Sequence, residues 1–146
     1  MRARFWERYA LEALDTEEWE ALCDGCGRCC LHKIEDPRSG RIHYTNIACR
    51  LLDLDSCRCT DYAHRHQRVP DCLPLTPEVL ARDARWLPPT CAYRRLAEGR
   101  GLPDWHPLRT GRAETVVAAG ISVRGLAVPE GRAGSPLHHL LEWPAG

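Results

Sequence analysis

The cysteines carry the clearest chemistry in this sequence. Four of them, Cys23, Cys26, Cys29 and Cys30, lie within eight residues in the spacing C-x-x-C-x-x-C-C. One short loop can turn several thiolates toward a common point, which suits a metal ion or an iron–sulfur cluster. Thiolate is a soft ligand and favours zinc or iron–sulfur clusters over magnesium or calcium. We therefore predict that these four cysteines bind the cofactor.

Five further cysteines extend the candidate metal ligands to all nine in the chain; they are Cys49, Cys57, Cys59, Cys72 and Cys91. A ferredoxin-like cluster often takes three ligands from one C-x-x-C-x-x-C run and a fourth from a distant cysteine. Cys23, Cys26 and Cys29 have the three-ligand spacing. Either Cys91 or Cys72 could supply the fourth ligand.

The neighbouring pair Cys29–Cys30 indicates a second site. Successive side chains of an extended segment point to opposite faces, so the two thiols should not bind one ion together. We expect Cys30 to join a second centre with Cys49, Cys57 and Cys59. Two four-ligand centres, or one multinuclear cluster with bridging thiolates, both fit nine cysteines. Taken singly, a cysteine outside the motif is more often a small buried apolar residue than a ligand, and that alternative stays open.

Whether the protein is an enzyme is left open by the sequence. Arg28, His32 and Lys33 place positive charge near Cys29 and Cys30, and such surroundings activate catalytic thiols. No Cys–His pairing is fixed by the spacing. The P-loop, dinucleotide-binding, nucleophile-elbow and zinc-protease motifs are missing from the sequence. The catalytic residues are therefore unassigned.

The overall composition limits the classes of partner and the cellular compartment that we expect. The 146 residues carry 20 basic and 20 acidic side chains, a balance that argues against a nucleic-acid partner. The N-terminus lacks the apolar stretch of a secretory signal, and no apolar run approaches the roughly 20 residues of a membrane helix. Dense cysteine in a reducing cytoplasm favours metal over disulfides. We expect a cytoplasmic protein with a metal ion or cluster bound and no membrane contact.

Two short helices should deliver the chain to the first cysteines. An amphipathic pattern predicts a helix over residues 4–14. Asp15 begins a capping-box pattern for a second helix over residues 16–22. Gly25 and Gly27 would let the following loop turn tightly, with backbone N–H groups facing the first sulfurs as in a metal knuckle.

A β-hairpin should follow the motif. Residues 31–34 and 41–44 read as its strands, and residues 36–40 as a five-residue turn. The further elements that we predict are a helix starting at Thr76, a helix from Thr90 to Gly99, and a short strand at residues 121–124.

These elements predict an α+β fold: a small irregular metal-stabilised domain with short helices and a β-hairpin. The domain would span residues 1–130, and residues 131–146 would form a weakly ordered C-terminal tail. Trp86 and Trp105 sit beside prolines and are expected to shield the core or the metal. If exposed, they would instead offer a docking surface for a protein partner.

Several longer motifs together resemble the bacterial YcgN family, within the wider class of proteins that have a zinc- or iron-chelating C-x-x-C-x-x-C-C domain. The resemblance covers residues 5 to 130 and rests on Trp19–Lys33, Asn46–Arg50, Pro70–Cys72, Trp86–Arg94, Trp105–Leu108 and Ser122–Arg124. It implies metal chelation by the cysteines. A related motif occurs in flagellin lysine methylases, where an iron–sulfur cluster is implicated in methyl transfer. The four motif cysteines match that segment, but this chain is too short to supply the rest of such an enzyme.

The preferred functional hypothesis is a metal-binding protein with an iron–sulfur cluster, or a zinc or iron ion, acting in redox or modification chemistry. Two alternatives remain at this point. One is a non-enzymatic module in which zinc is a structural staple and exposed aromatic residues bind a protein partner. The other is a metal buffer or carrier that gives its ion away.

Overall fold

The computed structural model describes residues 1–70 and 72–141. In these residues the α-helices are α1 (Phe5–Arg8), α2 (Thr16–Ala21), α3 (Arg65–Arg68), α4 (Pro77–Asp83), α5 (Ala92–Ala97), α6 (Pro107–Thr110), α7 (Thr115–Ala118) and α8 (Glu130–Ala133). The strands are β1 (Leu31–Glu35), β2 (Ile42–Ala48) and β3 (Val128–Pro129). Single 3-10 turns occupy Leu11–Ala13, Arg28–Cys30, Tyr62–His64, Ala84–Trp86 and Pro136–His139. Short helices beside one small sheet confirm the α+β class.

The sheet is built on the hairpin that the sequence predicts. Its strand order is β1-β2-β3, with β1 antiparallel and β3 parallel to β2. The turn is closed at Asp36, whose N–H donates to the Arg41 carbonyl at 2.8 Å. The Gly40 N–H donates to the Asp36 carbonyl, also at 2.8 Å. The hairpin is therefore confirmed, and β2 runs longer than predicted, to Ala48.

The pairing of β1 with β2 is irregular close to the cysteine motif. Leu31 lies opposite Ala48 but Lys33 lies opposite Tyr44, so β2 holds two extra residues there. Thr45 is buried in this irregularity, and its hydroxyl donates to the His32 carbonyl at 2.9 Å. Such a bulge bends a strand locally without ending its pairing. The hairpin can therefore continue up to the residues that adjoin Cys30.

The chain divides into two compact units, Met1–Gly25 with Pro74–Ile121, and Cys26–Leu73 with Ser122–Ala145. The prediction of one domain over residues 1–130 with a weakly ordered tail stays a prediction. Residues 130–133 form α8, and the backbone N–H of Leu141 donates to the Tyr44 carbonyl at 2.8 Å. The tail residues 142–146 lie outside the described residues.

The first unit holds the helix that leads into the motif. The predicted capping box on α2 is confirmed: the Asp15 carboxylate accepts the Glu18 N–H at 2.8 Å, and the Glu18 carboxylate accepts the Asp15 N–H at 3.1 Å. Glu18 is fully buried, and the Arg2 guanidinium donates to its two carboxylate oxygens at 2.7 and 3.0 Å. These hydrogen bonds from Arg2 lower the pKa of Glu18 to about 2.

His106 fixes the far end of α2. Its side chain is fully buried, its Nδ1 accepts the Leu108 N–H at 3.0 Å, and its Nε2 donates to the Leu22 carbonyl at 2.8 Å. Burial lowers the pKa of His106, which matches a neutral ring with the proton on Nε2. The residue directly before Cys23 is thereby held in place.

The predicted helix over residues 4–14 is wrong, because α1 ends at Arg8. Tyr9 and Ala10 adopt extended backbone angles before a single 3-10 turn begins at Leu11. Phe5 is the one residue of α1 that is fully buried. A short helix draws most of its stability from a packed apolar face, so one anchored residue supports a single turn.

The later elements follow the capping signals more closely. The Thr76 hydroxyl accepts the Val79 N–H at 3.2 Å and caps α4 as predicted. The helix predicted from Thr90 is present as α5, which begins at Ala92 with Cys91 as its N-cap residue. The predicted strand at residues 121–124 is wrong. Val123 is buried, its N–H donates to the Cys26 carbonyl at 2.9 Å, and its carbonyl accepts turn bonds from the N–H groups of Leu126 and Ala127.

The second unit has a small apolar core around the hairpin, formed by Leu31, Tyr44, Ala48, Leu52, Cys57 and Val123. Leu31 of β1 and Tyr44 and Ala48 of β2 contribute to it, together with residues from the segments that follow β2 and from the segment near Val123. Nowhere in the part of the chain that the structure describes does a helix reach the length and apolarity needed to cross a bilayer.

Candidate metal centre

The loop that carries the motif turns at two glycines. Gly25 and Gly27 have φ angles of 75° and 79°, in the region that glycine occupies without strain. The Arg28 backbone N–H then donates to the Cys26 sulfur, 3.4 Å away. This N–H···S contact has the direction that the sequence predicts for Cys26, and the metal knuckle itself stays a prediction. Such donors stabilise a thiolate, which is the form that binds metal.

Cys29 and Cys30 form a hydrogen-bonded pair of thiols. They lie in the 3-10 turn Arg28–Cys30, which begins directly after Gly27, a residue in the left-handed conformation. The prediction of separate sites assumed an extended segment, and that premise is wrong, because both residues lie in a 3-10 turn. Whether the two thiols bind one centre or two stays a prediction.

Three distant stretches of chain bring further thiols to this pair. The Cys49 N–H donates to the Cys30 carbonyl at 2.7 Å, since β2 runs back alongside the start of β1. Cys59 pairs with Leu52 in an isolated β-bridge beyond β2. Electrostatic interactions link Cys30 to Cys49 and Cys72, and link Cys72 in turn to Cys59. We define the thiol cluster as Cys29, Cys30, Cys49, Cys59 and Cys72.

Burial and neighbouring thiols disfavour negative charge on two members of the thiol cluster, Cys30 and Cys72. The hydrogen bond from Cys29, then burial, then charge on neighbouring thiols raise the pKa of Cys30. Burial chiefly raises the pKa of Cys72, while the Arg65 guanidinium opposes that rise. Adding a thiolate to such a cluster is unfavourable unless positive charge accompanies it. A divalent cation supplies that charge and inverts the preference, because coordinated thiols are deprotonated.

The Lys33 side chain contacts the backbone of the turn that carries Cys29 and Cys30. Its ammonium donates to the Cys29 carbonyl at 2.8 Å and to the Leu31 carbonyl at 3.2 Å. The ammonium also lies 5.5 Å from the centre of the Tyr44 ring. Burial lowers the pKa of Lys33, and four members of the thiol cluster oppose that change. The sequence indicates only that Lys33, together with Arg28 and His32, brings positive charge near Cys29 and Cys30. It does not reveal the contacts of Lys33 with the Cys29 and Leu31 carbonyls.

The other four predicted ligands are not members of the thiol cluster as defined above. Cys57 is buried in the apolar core, with its sulfur 3.5 Å from the Ser122 hydroxyl. Cys26 is buried in the loop described above. Cys23 is exposed and belongs, with Cys91, to the unit that contains α2 and α5. None of the nine cysteines, all of which are described, forms a disulfide.

The histidines near the site have partners of other kinds. His32 contacts the Glu130 carboxylate, with 2.7 Å between Nε2 and the oxygen. The His66 ring contacts the Cys72 carbonyl at 3.1 Å. His66 therefore helps to hold the backbone of one thiol-cluster member, a role that its sequence position did not reveal.

The donor chemistry of the thiol cluster fits a soft metal, but the spacing is wider than a finished site requires. Within residues 1–70 and 72–141, no three His, Cys, Asp or Glu side chains are close enough around one point to hold an ion. Zinc–sulfur distances are about 2.3 Å, so the sulfur atoms must close in when metal binds. Folding and metal binding are commonly coupled in this way.

The fold and the site define a small α+β protein with a multi-thiol centre. Residues 22–92 match a family model named CxxCxxCC and described as "Putative zinc- or iron-chelating domain". That span contains every cysteine of the chain. The match supports zinc or iron chelation as the coarse function.

Closely similar chains place the protein more narrowly. A UPF0260 protein of Gluconacetobacter diazotrophicus is 60% identical over 140 residues, which cover 96% of this chain and 87% of the relative. A UPF0260 protein of Gluconobacter oxydans is 55% identical over 142 residues, covering 97% and 86%. The chain belongs to the UPF0260 family. No solved structure matches it. The narrower YcgN assignment stays a prediction.

Proposed function

We propose that this protein binds iron or zinc through clustered cysteines and that an iron–sulfur cluster is the form it carries. One observation supports this most directly: five thiols, drawn from four separate stretches of chain, lie in one electrostatically coupled group. An apolar core has no need of so many thiols that interact with one another. The similarity to a chelating domain points the same way.

The principal ligands in this proposal are the members of the thiol cluster. Five thiols exceed the four that a tetrahedral zinc site or a cubane cluster requires. The spare thiol allows either a bridging role or exchange with an incoming group. For Cys23, Cys26 and Cys91, the motif and the family pattern support a ligand role. For Cys57, burial in the apolar core favours a packing role over the predicted ligand role.

A cluster held here would supply one-electron chemistry, and a zinc ion would instead cross-link the chain. The chain's own residues hold the centre, place Lys33 beside it and cover part of it with the hairpin. A redox or modification role in the cytoplasm is part of the proposal, supported by the reduced thiols that such a centre needs. Stabilisation of the fold by the metal is part of it too.

Anaerobic purification with metal analysis, sulfide analysis and a visible spectrum tests the proposal. We expect brown protein with broad visible absorbance, iron and acid-labile sulfide. Colourless protein with tightly held zinc would instead support the second candidate, a zinc ion that cross-links the chain. The N–H···S contact at Cys26 favours that candidate. Fully folded protein that contains neither metal and takes up neither would contradict the function.

Substitution of single cysteines tests the ligand set. Cys72→Ser should lower the metal content per folded molecule, because it removes a thiol-cluster member that has no place in the apolar core. Cys57→Ser is the matched control: it should lower the melting temperature by burying a hydroxyl but leave the metal content of the folded fraction unchanged. Equal metal loss in both variants would show that membership of the thiol cluster does not identify the ligands.

A further inference from the structure

The basic residues of this chain are almost all arginine. Of the 20 lysines and arginines, 19 are arginine, and Lys33 is the single lysine. A strong preference for arginine makes the one exception informative, because the two side chains differ in chemistry. Arginine presents a broad planar fork, whereas lysine ends in a compact point charge with three donors.

The position of this lysine relative to the thiols is specific. Two of its three donor hydrogens are directed at carbonyl oxygens of Cys29 and Leu31, which lie on either side of Cys30. The same ammonium interacts electrostatically with Cys29, Cys30, Cys49 and Cys72. It lies on β1 opposite Tyr44, at the irregularity that adjoins the motif. The side chain is half-buried, so solvent screens its charge less than that of a surface lysine.

We propose that Lys33 is the built-in counter-charge of the thiol cluster and selects a metal–thiolate centre of net negative charge. This inference rests on the proposed function, since it needs a metal at that site. A divalent ion with four thiolates carries a charge of −2, as does an oxidised four-iron cluster with four thiolates. A fixed ammonium nearby offsets part of that charge, and its two carbonyl contacts keep the Cys29–Leu31 turn in place.

The size of the effect follows from Coulomb's law. Loss of a unit charge from beside a dianionic centre, with its charge partly screened by solvent, should change the binding constant by at least about 10-fold. Loss of this charge should weaken zinc binding and make an iron–sulfur cluster harder to reduce. Arginine at the same place would retain the charge but not the compact contacts.

Competition with a zinc chelator measures this effect directly. We expect Lys33→Met to weaken the apparent zinc affinity at least about 10-fold, and Lys33→Arg to recover most of the loss. Arg38→Met is the matched control, since it removes one positive charge from the exposed hairpin turn of the same unit and should change the affinity less than about 2-fold. If Lys33→Met binds zinc as tightly as the wild type, the counter-charge role is wrong. If the wild type itself takes up neither zinc nor iron, the proposed function fails instead.

A measurement on the wild type covers the case in which Lys33→Met does not fold. Protein grown with ¹³C-labelled lysine has one set of lysine ε-CH₂ signals, because Lys33 is the single lysine. Addition of one equivalent of Zn²⁺ to the metal-free protein should shift this signal. An unchanged signal, with zinc bound and thiols consumed, would place Lys33 away from the metal and overturn the inference.

Discussion

Gly27 illustrates how one residue shapes the metal-binding loop. Its φ of +79° starts the 3-10 turn that holds Arg28, Cys29 and Cys30, and the turn makes neighbours of two thiols. The space around it is also full. A Cβ at this position would lie 2.7 Å from the Val123 Cγ2 atom and 3.4 Å from the Cys57 Cβ atom. Backbone conformation and close packing therefore both require glycine.

Replacing Gly27 should be more damaging than replacing a comparable glycine in open space. We expect Gly27→Ala to lower the free energy of unfolding by about 2–4 kcal/mol, from left-handed strain plus the clash with Val123. Gly40 has a φ of +72° and no atom within 4 Å of its would-be Cβ, so Gly40→Ala should cost only about 1 kcal/mol. Urea denaturation of both variants measures the difference. Equal losses would mean that Val123 moves aside readily and that packing does not matter there.

At the scale of elements, the hairpin and the segments around it arrange the thiols. β1 begins directly after Cys30 and β2 ends directly before Cys49, so pairing of the two strands brings these cysteines together. The C-terminal segment adds to the same strand, since β3 pairs with β2 and Leu140 bridges to Thr45. The position of Cys49 thus depends on residues far beyond the motif.

The capped helix α2 provides a pH-dependent prediction. The Arg2 guanidinium holds the pKa of Glu18 at about 2 instead of 4.5. As the pH falls, this carboxylate therefore takes up a proton in the unfolded chain at a higher pH than in the folded one. The stabilisation is complete above pH 4.5 and is lost as the pH falls from about 4.5 to about 2. Glu18→Gln removes this dependence. We expect the melting-temperature gap between wild type and Glu18→Gln to shrink across that range.

Glu17→Gln is the control for this measurement, because Glu17 is an exposed neighbour on the same helix. Comparing variants also cancels contributions that they share, such as acid release of a metal. A gap between wild type and Glu18→Gln that stays constant from pH 5 to pH 2 would contradict the role of the Arg2–Glu18 pair.

At the scale of the whole molecule, the cysteines are unevenly shared between the two units. Seven of the nine belong to the unit formed by Cys26–Leu73 and Ser122–Ala145, and the whole thiol cluster is among them. The apolar core described around the hairpin of that unit is small. A small core gains most from an added cross-link, so we expect metal to contribute more to this unit than to the other.

Removal of the metal by a chelator should therefore loosen one unit preferentially. Amide hydrogen exchange should accelerate strongly over residues 28–60, where the hairpin and most of the thiol cluster lie. Residues 77–97, which form α4 and α5 in the other unit, should change much less. Mass spectrometry of peptides from metal-loaded and metal-free protein measures both. A uniform change along the chain, or none, would contradict preferential stabilisation.

The sequence was sufficient for features that depend on neighbours a few residues apart. The capping box at Asp15, the Thr76 cap and the hairpin turn after Asp36 are all local patterns, and the structure confirms each of them. Their energies come from hydrogen bonds within one turn, so distant contacts rarely overrule them. The soft-metal chemistry follows from residue type in the same way, and the family comparison supports it.

Which thiols share a site depends on folding over long distances, and spacing along the chain could not reveal it. Cys49, Cys59 and Cys72 reach the Cys29–Cys30 pair only because β2 returns beside β1 and the later loops fold over that end. Cys57 is two residues from Cys59 yet packs in the core, since a residue's surroundings depend on tertiary contacts as well as its type. The place of Lys33 follows from the same strand pairing. Local chemistry therefore indicates what the chain can bind, whereas chain reversal and burial decide which thiols come near one another.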